Sequence, residues 1–233
     1  MIYELIDAVR SADVFSLIAI LITSAVLLFV CLPSHEFAHA YAAYKLGDNT
    51  AKYQGRLTLN PFKHLDLFGS VMILLVGVGY AKPVPVNMMN FKNRKRDMAI
   101  TALAGPLMNL FFGVVFVFLD VLFYQLLTVK IVFSSLTLIK IYTIIHFVLQ
   151  TVAYISISLA IFNLIPIPPF DGSRILGYFL PDRIYYKIMQ YEQIIFIFVL
   201  VALWFGFLSG PLDKMITAVT GVLYWLFSLP FGG

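Results

Sequence analysis

Residues 14–34 carry no charged side chain, and an apolar run of this length is the signature of a helix that crosses a bilayer. The pattern continues as helix to about residue 45, where Gly47 suits a helix C-terminus. At 1.5 Å per residue such a helix is roughly 48 Å long, longer than the hydrocarbon core, so its last turns belong near one membrane face. A cleaved leader is a poorer account: Glu4 and Asp7 stand where a basic cluster belongs, and no small-residue cleavage pattern precedes His35. The rest of the chain agrees, being 61% hydrophobic and 12% charged. A soluble domain carries about 25% charged residues and could not hide this much apolar surface. The expected fold is therefore an all-α polytopic membrane protein, a single domain over residues 1–233.

The polar end of that first helix holds Pro33-Ser34-His35-Glu36-Phe37-Ala38-His39-Ala40. Histidines four apart share one helix face and can bind one metal ion, and a carboxylate beside the first can take a proton from an attacking water. This is the H-E-x-x-H pattern. Pro33 removes a backbone hydrogen bond just ahead of it, so a kink or locally opened turn is expected there. Cys31, the only cysteine, lies one turn before His35; a metal or redox role is conceivable, and a small buried apolar role is the better account.

Four further spans are expected at about 98–127, 141–165, 188–208 and 212–229. Residues 48–97 do not read as a simple loop. Residues 53–59 are strand-like, Asn60-Pro61 signals a turn, and the apolar run 68–80 is too short to span, which suggests a re-entrant or β-hairpin region. Residues 81–86, with Pro83 and Pro85, form an extended edge. Lys92-Asn93-Arg94-Lys95-Arg96 is the densest basic cluster and marks the cytoplasmic side. If residues 46–97 return to the side they left, the N-terminus is outside and the C-terminus inside. Of the 16 Lys and Arg, only Arg10, Lys130, Lys140 and Lys214 then face outward. The net charge of +4 is thus a topology signal rather than a nucleic-acid footprint.

A catalytic zinc site usually has three protein ligands and one open position. The best distant candidate is Asp171, in Asn163-Leu164-Ile165-Pro166-Ile167-Pro168-Pro169-Phe170-Asp171-Gly172, which follows the third span at the depth of His35 and His39. Irregular proline-rich backbone is tolerated at membrane depth only inside protein or beside water, and Gly172 permits a tight turn. An ordinary loop with Asp171 in solvent is the bland alternative. Asn163 and Asn109 could hold an extended substrate or an oxyanion, or could simply form interhelical hydrogen bonds; packing is the better account for Asn109. His64 and Asp66 form a rival ligand pair whose loop setting favours a solvated or supporting role. His146 and Asp120 fall in the outer halves of their spans and read as interfacial or packing groups.

Together His35-Glu36-Phe37-Ala38-His39, Ala104-Gly105-Pro106-Leu107-Met108-Asn109 and the segment from Asn163 to Gly172 resemble the site-2 protease family of intramembrane zinc metalloproteases. The last segment looks like that family's N-x-x-P-x-x-P-x-D-G signature, and Thr58-Leu59-Asn60-Pro61 and Ala81-Lys82-Pro83-Val84-Pro85-Val86-Asn87 extend the likeness over about residues 30–180. The resemblance implies one zinc bound by His35, His39 and Asp171, Glu36 as general base, and cleavage of transmembrane protein substrates in the cell membrane. Phe170 stands where the family commonly has Leu, and Pro33-Ser34 where aliphatic residues are usual. No PDZ or CBS domain is present, so the likeness is to a minimal prokaryotic form. A metal transporter and a non-catalytic membrane scaffold are the rival readings.

Overall fold

The computed structural model describes residues 14–76, 81–128, 136–207 and 209–231. Among them the chain is helical, with no strand beyond one antiparallel bridge between Leu65 and Ala81. Helix α1 runs over Val14–Lys45, followed by the short α2 (Thr50–Tyr53) and α3 (Leu67–Val76). Then come α4 (Arg94–Thr128), α5 (Leu136–Asn163), α6 (Asp171–Phe179), α7 (Asp182–Gln190), α8 (Glu192–Trp204) and α9 (Ser209–Ser228). Among the described residues four helices are long and apolar enough to cross a membrane: Val14–Lys45, Arg94–Gln125, Leu136–Asn163 and Gly210–Phe231. The span expected at 188–208 falls on α7 and α8, which meet at a bend of 65° and make a fifth span if the broken pair crosses as one. At 13 residues α8 is about 20 Å long, short of the roughly 30 Å hydrocarbon core.

The bend expected ahead of the histidines takes a definite form. Residues Leu27–Cys31 form a π-helical turn in which the Leu32 N–H donates to the Leu27 carbonyl. Pro33 has no N–H for the Phe29 carbonyl and its ring crowds that turn, and the added residue absorbs the misfit. Cys31, at the end of the π turn, is buried with Ala19, Leu27, Val148 and Val152, and its sulfur accepts from Ser156 at 3.7 Å. It belongs to the α1–α5 packing surface.

Helix α4 is the central element, packed against α1, α5, α6 and α9. In lipid there is no hydrophobic drive between helices, so close packing and polar contacts hold the bundle. One polar clasp joins three helices: Asp120 of α4 accepts from the Tyr224 hydroxyl of α9 at 2.7 Å and pairs with His146 Nδ1 of α5 at 2.6 Å. His146 and Asp120 are packing groups, as their positions in the sequence suggested.

The connection between α1 and α4 differs from the strand expectation at 53–59. α1 ends at Lys45 and Gly47 follows with φ of +109°. Asp48 then caps α2 by accepting from the Thr50 N–H and hydroxyl, and Gly55, with φ of +66°, turns the chain out of that helix. Tyr53 thus closes a helical turn and Gly55 a left-handed one where the β-propensity of residues 53–59 predicted a strand. Asp48 also accepts from Asn87 N–H and Asn90 Nδ2, both at 2.7 Å. Burial opposes its ionisation, but these donors together hold its carboxyl below the usual range. The run 68–80 begins as α3, and residues 77–80 lie outside the described residues.

Candidate metal centre

Helix geometry brings His35 and His39 onto one face, with Nε2 atoms 3.0 Å apart. Asp171, first residue of α6, reaches both: its Oδ2 lies 3.4 Å from His35 Nε2 and 3.2 Å from His39 Nε2. A tetrahedral zinc with bonds of about 2.0–2.1 Å has ligand–ligand edges of about 3.3 Å. The three observed edges match that figure, so the residues present fit the ion. The two histidines are buried, and Asp171 is partly so. Burial pushes the Asp171 carboxyl up, but hydrogen bonding and charge attraction from the two imidazoles outweigh it and hold it well below the usual carboxylate range.

The outer ring nitrogens set the tautomers. His39 Nδ1 lies 2.7 Å from the Thr101 carbonyl, which can only accept, so Nδ1 carries a proton and Nε2 is the nitrogen turned toward a metal. His35 Nδ1 meets the Asn109 amide at 3.0 Å, where Nδ2 faces the ring and the buried Oδ1 lacks a partner. A metal on His35 Nε2 requires a protonated Nδ1, and the amide turned end for end offers Oδ1 to that proton. Asn109 is buried behind His35, so the interhelical hydrogen bond is the role observed. Truncating it, Asn109→Ala, is expected to weaken zinc affinity about 10–100-fold while Asn109→Asp retains most of it, measured by competition with a chromogenic chelator.

Thr101 and Gly105, which sequence reasoning did not assign to the site, complete a stripe with Asn109 at every fourth residue of α4. A Cβ built on Gly105 would lie 2.3 Å from His39 Nε2 and 2.6 Å from His35 Cε1. The two imidazoles therefore rest directly on the α4 backbone. The signal was the matching four-residue period on the two helices.

Gly172 acts by the same means, lack of a side chain, rather than by the tight turn expected of it. It lies inside α6, and a Cβ there would meet the Leu164 and Ile165 carbonyls at 2.3 and 2.4 Å. That approach folds α6 back onto the end of α5. Phe170 anchors the turn, its ring 4.3 Å from that of Phe162. Asn163 closes α5, one of its amide hydrogens going to the Leu159 carbonyl at 2.9 Å.

Glu36 is buried beside this centre and its Oε2 accepts from the Val84 N–H at 2.9 Å, so the extended residues 81–86 cross over it. His64 and Asp66 are not ligands in the cluster. His64 is fully buried with Nε2 on the Thr58 carbonyl at 2.7 Å, which overturns a solvated role, and Asp66 accepts from the Gly69 N–H at the start of α3.

Comparison with known proteins fits this geometry. The family model for peptidase family M50 matches residues 23–207. The chain is 39% identical over 204 residues to "Putative zinc metalloprotease YwhC" of Bacillus subtilis (strain 168), covering 88% of this chain and 90% of that protein. It is 27% identical over 232 residues to "Putative zinc metalloprotease Rip2" of Mycobacterium tuberculosis (strain H37Rv), covering 97% of this chain and 78% of that protein. No solved structure matches. With the match running from within α1, ahead of its π turn, through α8, the chain belongs to peptidase family M50.

Proposed function

We propose that this protein is an intramembrane zinc metalloprotease that hydrolyses peptide bonds of transmembrane protein substrates. The observation that carries the reading is the convergence of His35, His39 and Asp171 at zinc-ligand spacing with the Glu36 carboxylate beside them. Zinc held there supplies a Lewis acid that polarises the scissile carbonyl and acidifies an attacking water. Glu36 accepts the proton which that water loses as its oxygen bonds to the carbonyl carbon. The same carboxyl returns the proton to the amide nitrogen as the C–N bond breaks. The Val84 N–H holds the Glu36 carboxylate through Oε2. The second amide hydrogen of Asn163 is the donor for the developing oxyanion.

A helical substrate must unwind before its carbonyl is reachable, and residues 81–86 offer it an edge. Pro83 and Pro85 have no N–H, and those of Lys82 and Val84 go to the His64 carbonyl and Glu36, so this edge pairs through carbonyls. The site end faces the cytoplasm and the N-terminus the outside, on the positive-inside rule. In support, Lys95 of the basic cluster donates to the Leu180 carbonyl at 2.6 Å, next to the helix that carries Asp171. A transporter would need further ligands along a path, and among the described residues His35, His39 and Asp171 are the only such group of three.

The test is cleavage of a single-span substrate by the purified protein in detergent or vesicles. Cleavage is expected to stop with 1,10-phenanthroline and to return with added Zn²⁺. Turnover that ignores the chelator would overturn the reading.

A further inference from the structure

A cavity of about 560 Å³ lies between the start of α4 and the helices α6 and α7. Its walls bring together Lys92, Arg94 and Lys95 with Arg174 from α6 and Tyr185 and Tyr186 from α7. One carboxylate, Asp182, also lines it, and Lys95 takes that group at 2.6 Å. The next carboxylate along α4, Asp97, is held by Arg96 at 2.8 Å and by the Asn93 N–H. Among the described residues Lys92, Arg94 and Arg174 form no ion pair with a carboxylate, so three positive charges share the walls of one cavity.

Like charges converging on a cavity repel one another and favour an anionic occupant. Two guanidinium forks, an ammonium and two phenol hydroxyls are donors suited to phosphate oxygens. The positive-inside rule accounts for Lys92, Arg94 and Lys95 as a sequence cluster but not for Arg174, which arrives from another helix to face them. Nor does it account for Gly177. A Cβ there would lie 2.6 Å from the Tyr185 ring, so the missing side chain is what lets that wall close.

The surroundings identify the source of the phosphate. Helix α7 is amphipathic, with Arg183 and Lys187 among apolar residues, and leaves Ile184 48% and Tyr186 60% exposed. Such a helix lies in the headgroup layer, and tyrosine is enriched at that level. The α4 span begins at Arg94, so the cavity sits where a membrane helix enters the bilayer. We propose that this cavity binds the phosphate of an anionic phospholipid headgroup, with Lys92, Arg94 and Arg174 as its charged ligands and the acyl chains leaving along the lipid-facing side. Arg174 is one turn after Asp171 on α6, so the bound headgroup ties α6 to α4, the helices that carry Asp171 and the Thr101–Gly105–Asn109 stripe. The binding itself does not depend on the proteolytic reading.

The full chain, purified in a neutral detergent, is titrated with phosphatidylglycerol, phosphatidylcholine, glycerol 1-phosphate and inorganic phosphate. Thermal unfolding and native mass spectrometry report occupancy. Phosphatidylglycerol is expected to bind and raise the midpoint, and phosphatidylcholine is not. Arg174→Gln should weaken binding about fivefold, and Lys92→Gln with Arg94→Gln a further fivefold for each charge, on the scale of juxtamembrane Lys and Arg. Lys187→Gln, a charge on α7 outside the cavity, should change nothing. Arg174→Gln leaves both contacts of Lys95 in place and carries the test if the triple variant does not fold. Equal losses from Lys187→Gln and Arg174→Gln, or none from either, would overturn the site. Glycerol 1-phosphate binding as tightly as the lipid would keep the phosphate site and overturn its lipid source.

Discussion

Replacing Glu36 by Gln is expected to abolish peptide hydrolysis and leave zinc content unchanged. The amide matches the carboxylate in size, and its oxygen can still accept the Val84 N–H that holds the native side chain at 2.9 Å. The buried packing at this position therefore survives. What is lost is basicity, since an amide does not take a proton from water near neutral pH. General-base catalysis contributes about 10²–10⁴-fold, and in the proposed mechanism the same group also protonates the leaving amine, so the loss should reach the upper end of that range. Glu36 belongs to none of the three metal edges, which run among His35, His39 and Asp171. Elemental analysis of the variant should return one zinc per chain, as for the native protein. Normal turnover by Glu36→Gln would remove the general-base role. Loss of both metal and activity would instead make Glu36 part of the metal site.

Much of this centre was legible before folding because its chemistry is written in short periods. His35 and His39 share a face by helical spacing alone, and Pro33 announced a break that appears as the π turn at Leu27–Cys31. Asp171 was reachable by depth, because α5 ends at Asn163 and α6 begins at Asp171 on the same side as the histidines. The supporting groups were less legible. Thr101 contributes a backbone carbonyl and Gly105 the absence of a side chain, and neither has a side-chain signature that marks a metal site. The strand expected at 53–59 is absent: Asp48 gathers Thr50, Asn87 and Asn90 around itself, Tyr53 closes the helical turn α2, and Gly55 turns the chain at φ of +66°. The span expected at 188–208 survives only as a broken pair of helices. Hydropathy averages over 188–208 without registering that helix is interrupted at Tyr191, where α7 and α8 bend by 65°.

Gly105→Ala should cost the protein its zinc. The added methyl carbon would lie 2.3 Å from His39 Nε2 and 2.5 and 2.6 Å from the Cε1 atoms of His39 and His35, inside the closest approach of bonded-out carbon. The rings have little room to retreat. His39 is tied to the Thr101 carbonyl and His35 to Asn109, one turn of α4 to either side of the intruding group. Relief by moving α4 would disturb its packing against α1, α5 and α6 together. Disordering two ligands at once should lower zinc affinity about a hundredfold or more, at or beyond the range for lost supporting contacts, with activity falling in parallel. Global stability need not follow, because Ala is favoured over Gly by about 1 kcal/mol inside a helix and offsets part of the strain. Gly221→Ala in α9 is the matched control: nothing lies within 4 Å of a Cβ there, so the same substitution should retain zinc and activity. Zinc content by elemental analysis, beside the thermal midpoint of each variant, separates damage at the metal from general unfolding. A fully metal-loaded, active Gly105→Ala protein would mean that the imidazoles do not rest on α4 when the ion is bound.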